Sequence, residues 1–176
     1  MGKGINSYST QLAYADVTGS ALKPTDFKRV IRIKDYGDLM GAPENLETTD
    51  LEDPMTTNTQ GVKQADALEF TYNYTKENYT AAKKLEDGKE HAFALHFNGT
   101  FASTAADAAV TAEGSEGVFY FLGTLSVGIS GAGVNEVREG TITISQSTEV
   151  YGCEPVTTSD AGALGRLNTA QGWTKG

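Results

Sequence analysis

Residues 68 to 74 show the clearest periodicity in the chain, because apolar and polar side chains alternate there one by one. This period of two is typical of a β-strand with one face in a core and the other in water. The apolar set is predicted to be buried and the polar set to be exposed. These sets are Leu68, Phe70, Tyr72 and Tyr74 on one face, and Glu69, Thr71 and Asn73 on the other.

Five further segments have strand periodicity, at about residues 8–14, 27–34, 92–97, 118–129 and 137–150. In the second of these, Phe27, Ile31 and Ile33 are predicted to share one face with Arg29. The third ends at Asn98-Gly99, which is a turn signal.

One helix is predicted, from about Lys76 to Glu86. Thr75 is suited to cap its N-terminus, and Gly88 is suited to end it. The chain is therefore predicted to be mainly β with one flanking α-helix. Its expected core consists of Leu68, Phe70, Tyr72, Tyr79, Leu85, Phe93, Leu95, Phe119, Phe121, Ile142 and Ile144.

Two segments lack the large apolar side chains that usually order a chain. Residues 99–116 are rich in Ala, Thr, Ser and Gly and are predicted to form a flexible loop. Residues 152–176 are predicted to form an extended C-terminal arm, with Leu164, Leu167 and Trp173 as contacts to a neighbouring molecule.

The composition limits the possible functions. The chain has 176 residues, enough for one domain with a sizeable core. Its 14 basic and 23 acidic side chains give a net charge of −9, which is unlike a protein that grips nucleic acid. With one cysteine, no apolar run of membrane length and no signal-peptide pattern, we expect a protein made in a reducing cytoplasm.

No catalytic or metal-binding pattern is evident. The acidic residues between Glu44 and Asp53 lack calcium-loop spacing and are predicted to be solvated. His91 and His96 lie five apart in one strand, so they are predicted to face opposite sides. Cys153 has no histidine nearby in the sequence. We therefore predict that the protein is not an enzyme and carries no cofactor or metal.

A long polar segment precedes the strand at 68–74, and its order of motifs is distinctive. Residues 41–44 read Gly-Ala-Pro-Glu, and an E-x-T-x-L-x-D pattern starts at Glu47 and is followed by Gly61 and the aromatic strand. Together with the helix and the strands beyond it, over roughly residues 8 to 151, this order resembles the major tail tube proteins of long-tailed (siphovirus-type) bacteriophages or prophages.

The resemblance implies a β-sandwich or barrel-like subunit that assembles into hexameric rings. Stacked rings would form a virion tail tube that conducts DNA from capsid to host cell without binding it specifically. The implied partners are other copies of the chain, a tape-measure protein, a tail terminator and a distal tail protein. Assembly would occur in the bacterial host cytoplasm, and no membrane insertion is expected.

On this basis residues 1–151 are predicted to be the tube domain and residues 152–176 an extension. The segment from about 36 to 63 is predicted to be an arm between subunits and rings, with contacts from Leu39, Met40, Leu46, Glu47, Thr49, Asp50, Leu51, Asp53 and Met55. The surface that faces the DNA is predicted to carry Glu69, Thr71, Asn73, Thr143, Ser145 and Ser147.

Two alternatives remain open at this stage. A tube protein of a contractile injection or secretion device would share the ring-forming fold. A carbohydrate-binding β-module would belong to another class, and it would need Tyr or Trp side chains exposed on a sheet.

Overall fold

A computed structural model describes residues 10–40, 43, 45–47, 58–61, 66–153 and 162–173. In this part of the chain the strands are β1 (Thr10–Asp16), β2 (Lys28–Arg29), β3 (Asp35–Tyr36), β4 (Asn45–Glu47), β5 (Asn58–Gln60), β6 (Leu68–Asn73), β7 (His91–Phe97), β8 (Thr100–Phe101), β9 (Val110–Ala112), β10 (Val118–Ile129) and β11 (Glu139–Gln146). The α-helices are α1 (Lys76–Lys84) and α2 (Gly162–Ala170). The prediction of a mainly β fold with a flanking helix is confirmed.

One seven-stranded antiparallel sheet has the order β2-β1-β7-β10-β11-β6-β3. Strand β10 is long enough to pair first with β7, through Gly123, and then with β11, from Gly123 to Ile129. Two small antiparallel pairs, β4-β5 and β8-β9, stand outside this sheet.

The main core lies on one face of the sheet, beneath α1. Nine of the eleven expected core residues are buried there, the exceptions being Tyr79 and Phe119. Phe119 is partly buried at the margin of this core, where its ring packs against that of Phe97 with 5.4 Å between centroids. Tyr79, in the second turn of α1, is partly buried, with its ring 6.0 Å from that of Tyr74.

Helix α1 is fixed at both of its ends. The Thr75 hydroxyl accepts a hydrogen bond from the Asn78 amide at 3.1 Å, which is the expected N-cap. Just past the helix, the Glu86 carboxylate accepts a hydrogen bond from the Val127 amide at 3.0 Å. Val127 pairs with β11 but lies beyond the pairing of β10 with β7, so Glu86 satisfies an amide that has no strand on the β7 side.

A second core lies on the opposite face of the sheet. Ala13, Ala15, Ala92 and Ala94 are paired across β1 and β7 and form a flat platform of small side chains. Helix α2 packs against the same cluster, mainly over β10, and buries Ala163, Leu164 and Leu167 there, whereas Ala170 at its end is exposed.

The prediction of an extended C-terminal arm is therefore wrong for residues 162–170, which are helical. Leu164 and Leu167 pack within their own chain rather than on a neighbour, and Trp173 is partly buried against the same cluster. Leu164 and Leu167 are three apart and thus on one helical face, which the apolar platform of the sheet holds in place.

Residues 27–34 do not form the single strand that their alternation suggested. After Arg29 the chain leaves β2 and crosses to the other edge of the sheet, where β3 begins at Asp35. Val30 and Ile31 are both buried in the main core, because the crossing segment does not keep a strand's alternation.

The expectation of a flexible loop at 99–116 also needs correction. The segment contains β8 and β9, and the Ala102 amide donates to the Ala109 carbonyl at 2.9 Å. Phe101 and Val110 provide the ordering contacts, since both pack against the second core.

Gly140 gives a direct test of this packing. It pairs with Tyr72 across β6 and β11, and a Cβ atom at Gly140 would lie 2.2 Å from Cζ of the fully buried Tyr72 ring. We predict that Gly140→Ala lowers the free energy of unfolding by about 1–3 kcal/mol, because the core would be overpacked. Urea denaturation measures this loss. Gly131→Ala is the control, since nothing lies within 4 Å of its Cβ position, and equal stability of the two variants would contradict the assigned register.

His96 gives a pH-dependent test of the second face. Burial lowers its pKa to about 4, and its Nδ1 accepts a hydrogen bond from the Gly114 amide at 3.2 Å. The histidine of the unfolded chain has an ordinary pKa of about 6.5 and is therefore protonated at a higher pH than the buried one. The free energy of unfolding should then fall as the pH drops from about 6.5 to 4, by about 3 kcal/mol in total. Urea denaturation of His96→Gln should show a flatter dependence over this range. Identical pH profiles for the variant and the wild type would contradict the buried neutral histidine.

Candidate functional site

The second face of the sheet changes from apolar to hydroxyl-bearing in the middle of β10. Tyr120 and Leu122 lie on the half of that face that carries the second core, whereas Thr124 and Ser126 continue the same face beyond Gly123. The side chains keep alternating between the two faces along the whole strand, so the apolar and the hydroxyl-bearing residues belong to one continuous surface. We call the hydroxyl-bearing half the polar half-face.

Five of the six residues predicted to face DNA lie together on the polar half-face. Thr143 pairs with Glu69, and Thr141 pairs with Thr71, so β6 and β11 point these side chains the same way. Asn73 and Ser145 continue the two rows. Ser147 lies just past the end of β11, where its hydroxyl donates to the Glu90 carboxylate.

The register adds residues that were not among those predictions. Ser126 pairs with Thr143 and Thr124 with Ser145, which places β10 hydroxyls beside those of β11. Asp35 pairs with Thr71 at the edge strand β3. The polar half-face therefore spans four adjacent strands, β10, β11, β6 and β3. The alternation within each strand was visible in the sequence, but which strands are neighbours was not.

The electrostatics of the polar half-face are neutral to acidic. Glu69 and Asp35 are exposed, and the Lys34 ammonium at its margin is paired with the Glu139 carboxylate. The hydroxyl of Ser130 lies 3.3 Å from that of Thr141, so hydroxyl groups also contact one another. Such a surface binds water well and offers phosphate groups little attraction.

The arm is described only in part. Its strands β4 and β5 pair, with Leu46 opposite Thr59, and Met40, Leu46 and Glu47 are exposed. Leu39 packs instead against the main core of its own chain. The remaining predicted arm contacts lie outside the described residues, namely Thr49, Asp50, Leu51, Asp53 and Met55.

Other possible sites are not supported by the described side chains. Phe70 and Tyr72 are buried, so they offer no aromatic platform for a sugar ring. His91 and His96 lie on opposite faces, the first near Phe93 and the second near Phe101. Among the described residues, no group of three or more His, Cys, Asp or Glu could hold a metal ion. Neither described helix has the length and hydropathy of a membrane span.

The fold is similar to that of chains in solved structures of a particle tail and of a contractile injection system. One is from the tail of an empty GTA particle refined helically with C6 symmetry, with a TM-score of 0.54, 12% identity, and coverage of 84% of this chain and 97% of that chain. Another is from the sheath-tube complex of an extracellular contractile injection system, PVC, in its extended state, with a TM-score of 0.52, 10% identity, and coverage of 87% and 93%.

A third similar chain comes from the sheath/tube terminator of the PVC system, also in the extended state, with a TM-score of 0.51, 9% identity, and coverage of 88% and 99%. No protein-family profile and no curated protein matches the sequence. At these identities the similarity establishes the fold, and almost the whole length of each similar chain takes part in it.

Asn168 gives a test of how α2 is held on the sheet. Its buried side-chain amide accepts from the Leu22 amide at 2.9 Å and donates to the Leu22 carbonyl at 3.0 Å. We predict that Asn168→Ala destabilises the docked helix by about 1–3 kcal/mol, because the backbone amide and the backbone carbonyl of Leu22 both lose this hydrogen-bond partner. Amide hydrogen exchange in α2 should become faster. Gln171→Ala, at an exposed position, is the control, and unchanged exchange in Asn168→Ala would contradict this attachment.

Proposed function

We propose that this chain is the subunit of a tail tube, in which rings of six copies stack into a conduit for DNA. Support comes from the fold, which is similar to chains of tail and tube assemblies, one of them refined with C6 symmetry. The observation that carries the proposal is the polar half-face, which gives such a fold a water-binding wall four strands wide.

Simple geometry is consistent with this assignment. Six copies of four strands, tilted by about 40° and spaced about 4.7 Å apart, would close into a wall roughly 47 Å across between backbones. Side chains would reduce this by about 10 Å, which still leaves space for a DNA duplex about 20 Å wide. The four strands of one copy are too few to surround DNA, so the function belongs to the assembly.

The chemistry of the polar half-face suits transport rather than binding. Hydroxyl groups of Thr124, Thr143 and Ser145 would hold a layer of water against the passing duplex. Glu69 and Asp35 would repel its phosphates weakly across that water. DNA could then move without breaking ion pairs at every step, because the hydroxyl rows carry no cation and Lys34, at their margin, is already paired with Glu139.

We place the protein in a long-tailed, siphovirus-type phage or prophage, on the basis of the motif order in residues 41–74. Its partners would be a tape-measure protein, a tail terminator and a distal tail protein, and its location the virion tail. The contractile alternative remains a second candidate, since two of the similar chains come from a contractile injection system. Genes for a sheath and baseplate beside this one would favour that alternative.

Electron microscopy of the concentrated, purified protein tests the assembly. We expect hollow tubes or stacked rings with sixfold rotational symmetry. A protein that stays monomeric at high concentration and binds glycans would contradict the tube assignment and favour the carbohydrate-binding alternative.

Cysteine labelling tests which surface lines the conduit. In a Cys153→Ser background, we predict that Ser145→Cys in assembled tubes reacts with a small maleimide but not with a polymer-linked maleimide wider than the bore. The physical reason is that Ser145 is exposed in one copy and would face the lumen in the ring. The same variant before assembly is the control and should react with both reagents. Equal labelling of tubes by both reagents would place the polar half-face outside.

A further inference from the structure

Large apolar side chains that are exposed occur in only two places on the described part of the chain. Met40 and Leu46, in the arm, are 60% and 54% exposed. Ile129, Val134 and Val137, in the hairpin that joins β10 to β11, are 52%, 92% and 67% exposed. We call residues 129–139 the β10-β11 hairpin.

The sheet topology places the base of the arm and the β10-β11 hairpin at opposite ends of the polar half-face. Asn73, the last residue of β6, pairs with Glu139 at the base of the β10-β11 hairpin. Leu68, the first residue of β6, pairs with Ile144 toward the other end. Strand β3 runs antiparallel to β6, so the chain leaves for the arm at the Leu68 end and returns to the sheet there.

The two groups do not cover each other within one copy. The length of β6 alone separates the two ends by about 17 Å, and the side chains in question remain exposed in the structure. If each end is covered by the unlike end of another copy, the contact is heterologous and repeats along an open stack.

Charge favours contact between unlike ends over contact between two arms. The described acidic residues at the arm end are exposed, and none of them forms an ion pair with a described basic residue, so two arms would repel each other. The hairpin end carries balanced charge. The arm-end acids are Asp38, Glu47 and Asp66, and the charged residues of the hairpin end are Lys34, Lys76 and Arg138 with Glu77, Glu136 and Glu139.

Contacts within the β10-β11 hairpin give it a defined shape. The Gly133 amide donates to the Glu136 carboxylate at 2.6 Å, and the Ser130 amide donates to the Glu139 carbonyl at 3.0 Å. At its base, the Arg138 carbonyl accepts from the Tyr74 amide at 2.9 Å. The exposed valines are therefore presented on a braced hairpin rather than on an unstructured loop.

We propose that the β10-β11 hairpin of one copy binds the arm around Met40 and Leu46 of the copy in the next ring. The partner is thus a second copy of this chain, in a head-to-tail contact along the tube axis. This inference rests on the proposed tube function and identifies the surface that the arm contacts in the neighbouring ring. It also separates the contact between rings from the contacts that close each ring.

A double substitution at the tip of the hairpin tests the proposal. We expect Val134→Asp with Val137→Asp to leave the melting temperature unchanged, because both side chains are exposed, and to yield single rings instead of tubes. The matched control is Ala102→Asp with Ala105→Asp, which adds the same charge at exposed positions of the β8-β9 segment and should still give tubes. Tubes of normal length from the hairpin variant would overturn the inference but leave the tube function intact.

Cross-linking identifies the partner of the hairpin directly, including in samples that assemble weakly. In a Cys153→Ser background, a Val134→Cys protein is mixed with a Leu46→Cys protein and treated with a short bismaleimide. We expect products that join the two different variants. Products from Val134→Cys alone would indicate a tip-to-tip contact, and absence of mixed products would likewise overturn the inference. A wild-type protein that forms neither rings nor tubes would instead contradict the proposed function.

Discussion

The short crossing between β2 and β3 constrains the whole subunit. These strands form the two edges of the seven-stranded sheet, which would lie about 29 Å apart if the sheet were flat. Asp35 lies six positions after Arg29 in the chain, and six fully extended residue steps reach only about 21 Å. The sheet must therefore curl toward itself. The crossing is anchored at both ends, since the Val30 amide donates to Leu12 and the Lys34 amide donates to Thr71. Val30 and Ile31 are buried in the main core that the curl encloses.

This curl leaves the subunit with two outward flanks that share the long strand β10. On the flank formed by β1, β7 and the first half of β10, alanine pairs and Tyr120 make an apolar surface that α2 must cover. On the other flank, the same strand presents Thr124 and Ser126, which need no cover. Gly123 stands at the change, where a Cβ atom would lie 2.6 Å from the Ser145 carbonyl oxygen. A single strand thus supplies both an apolar surface for a helix and a hydrated surface for an assembly.

Sequence periodicity predicted the elements whose burial is one-sided. The strand at 68–73, helix α1 and the hydroxyl row of β11 follow from alternation and capping alone. Sequence periodicity failed where the burial of a residue depends on segments that are far away in the sequence. Nothing in the sequence around Tyr120 and Leu122 indicates that α2 covers them, and the sequence of α2 itself contains Gly165 and is a weak helix former. Residues 27–34 alternate like a single strand. Only the positions of β2 and β3 at opposite edges of the sheet show that this segment crosses from one edge to the other. The polar side chains of β6 and β11 were predicted separately for each strand. That the polar half-face is four strands wide follows only from the pairing register of the structure.

The same topology keeps two requirements of a tube apart. A conduit needs a hydrated wall, and a stack needs apolar contacts between successive copies, but apolar side chains on the wall would dehydrate it. Here the polar half-face lies between the two ends of β6, and the exposed apolar residues lie at or beyond those ends. Because β6 and β11 are antiparallel neighbours, the strands that carry the wall also connect its two ends. A change in the axial contact would then alter how copies stack without altering the surface that DNA would meet.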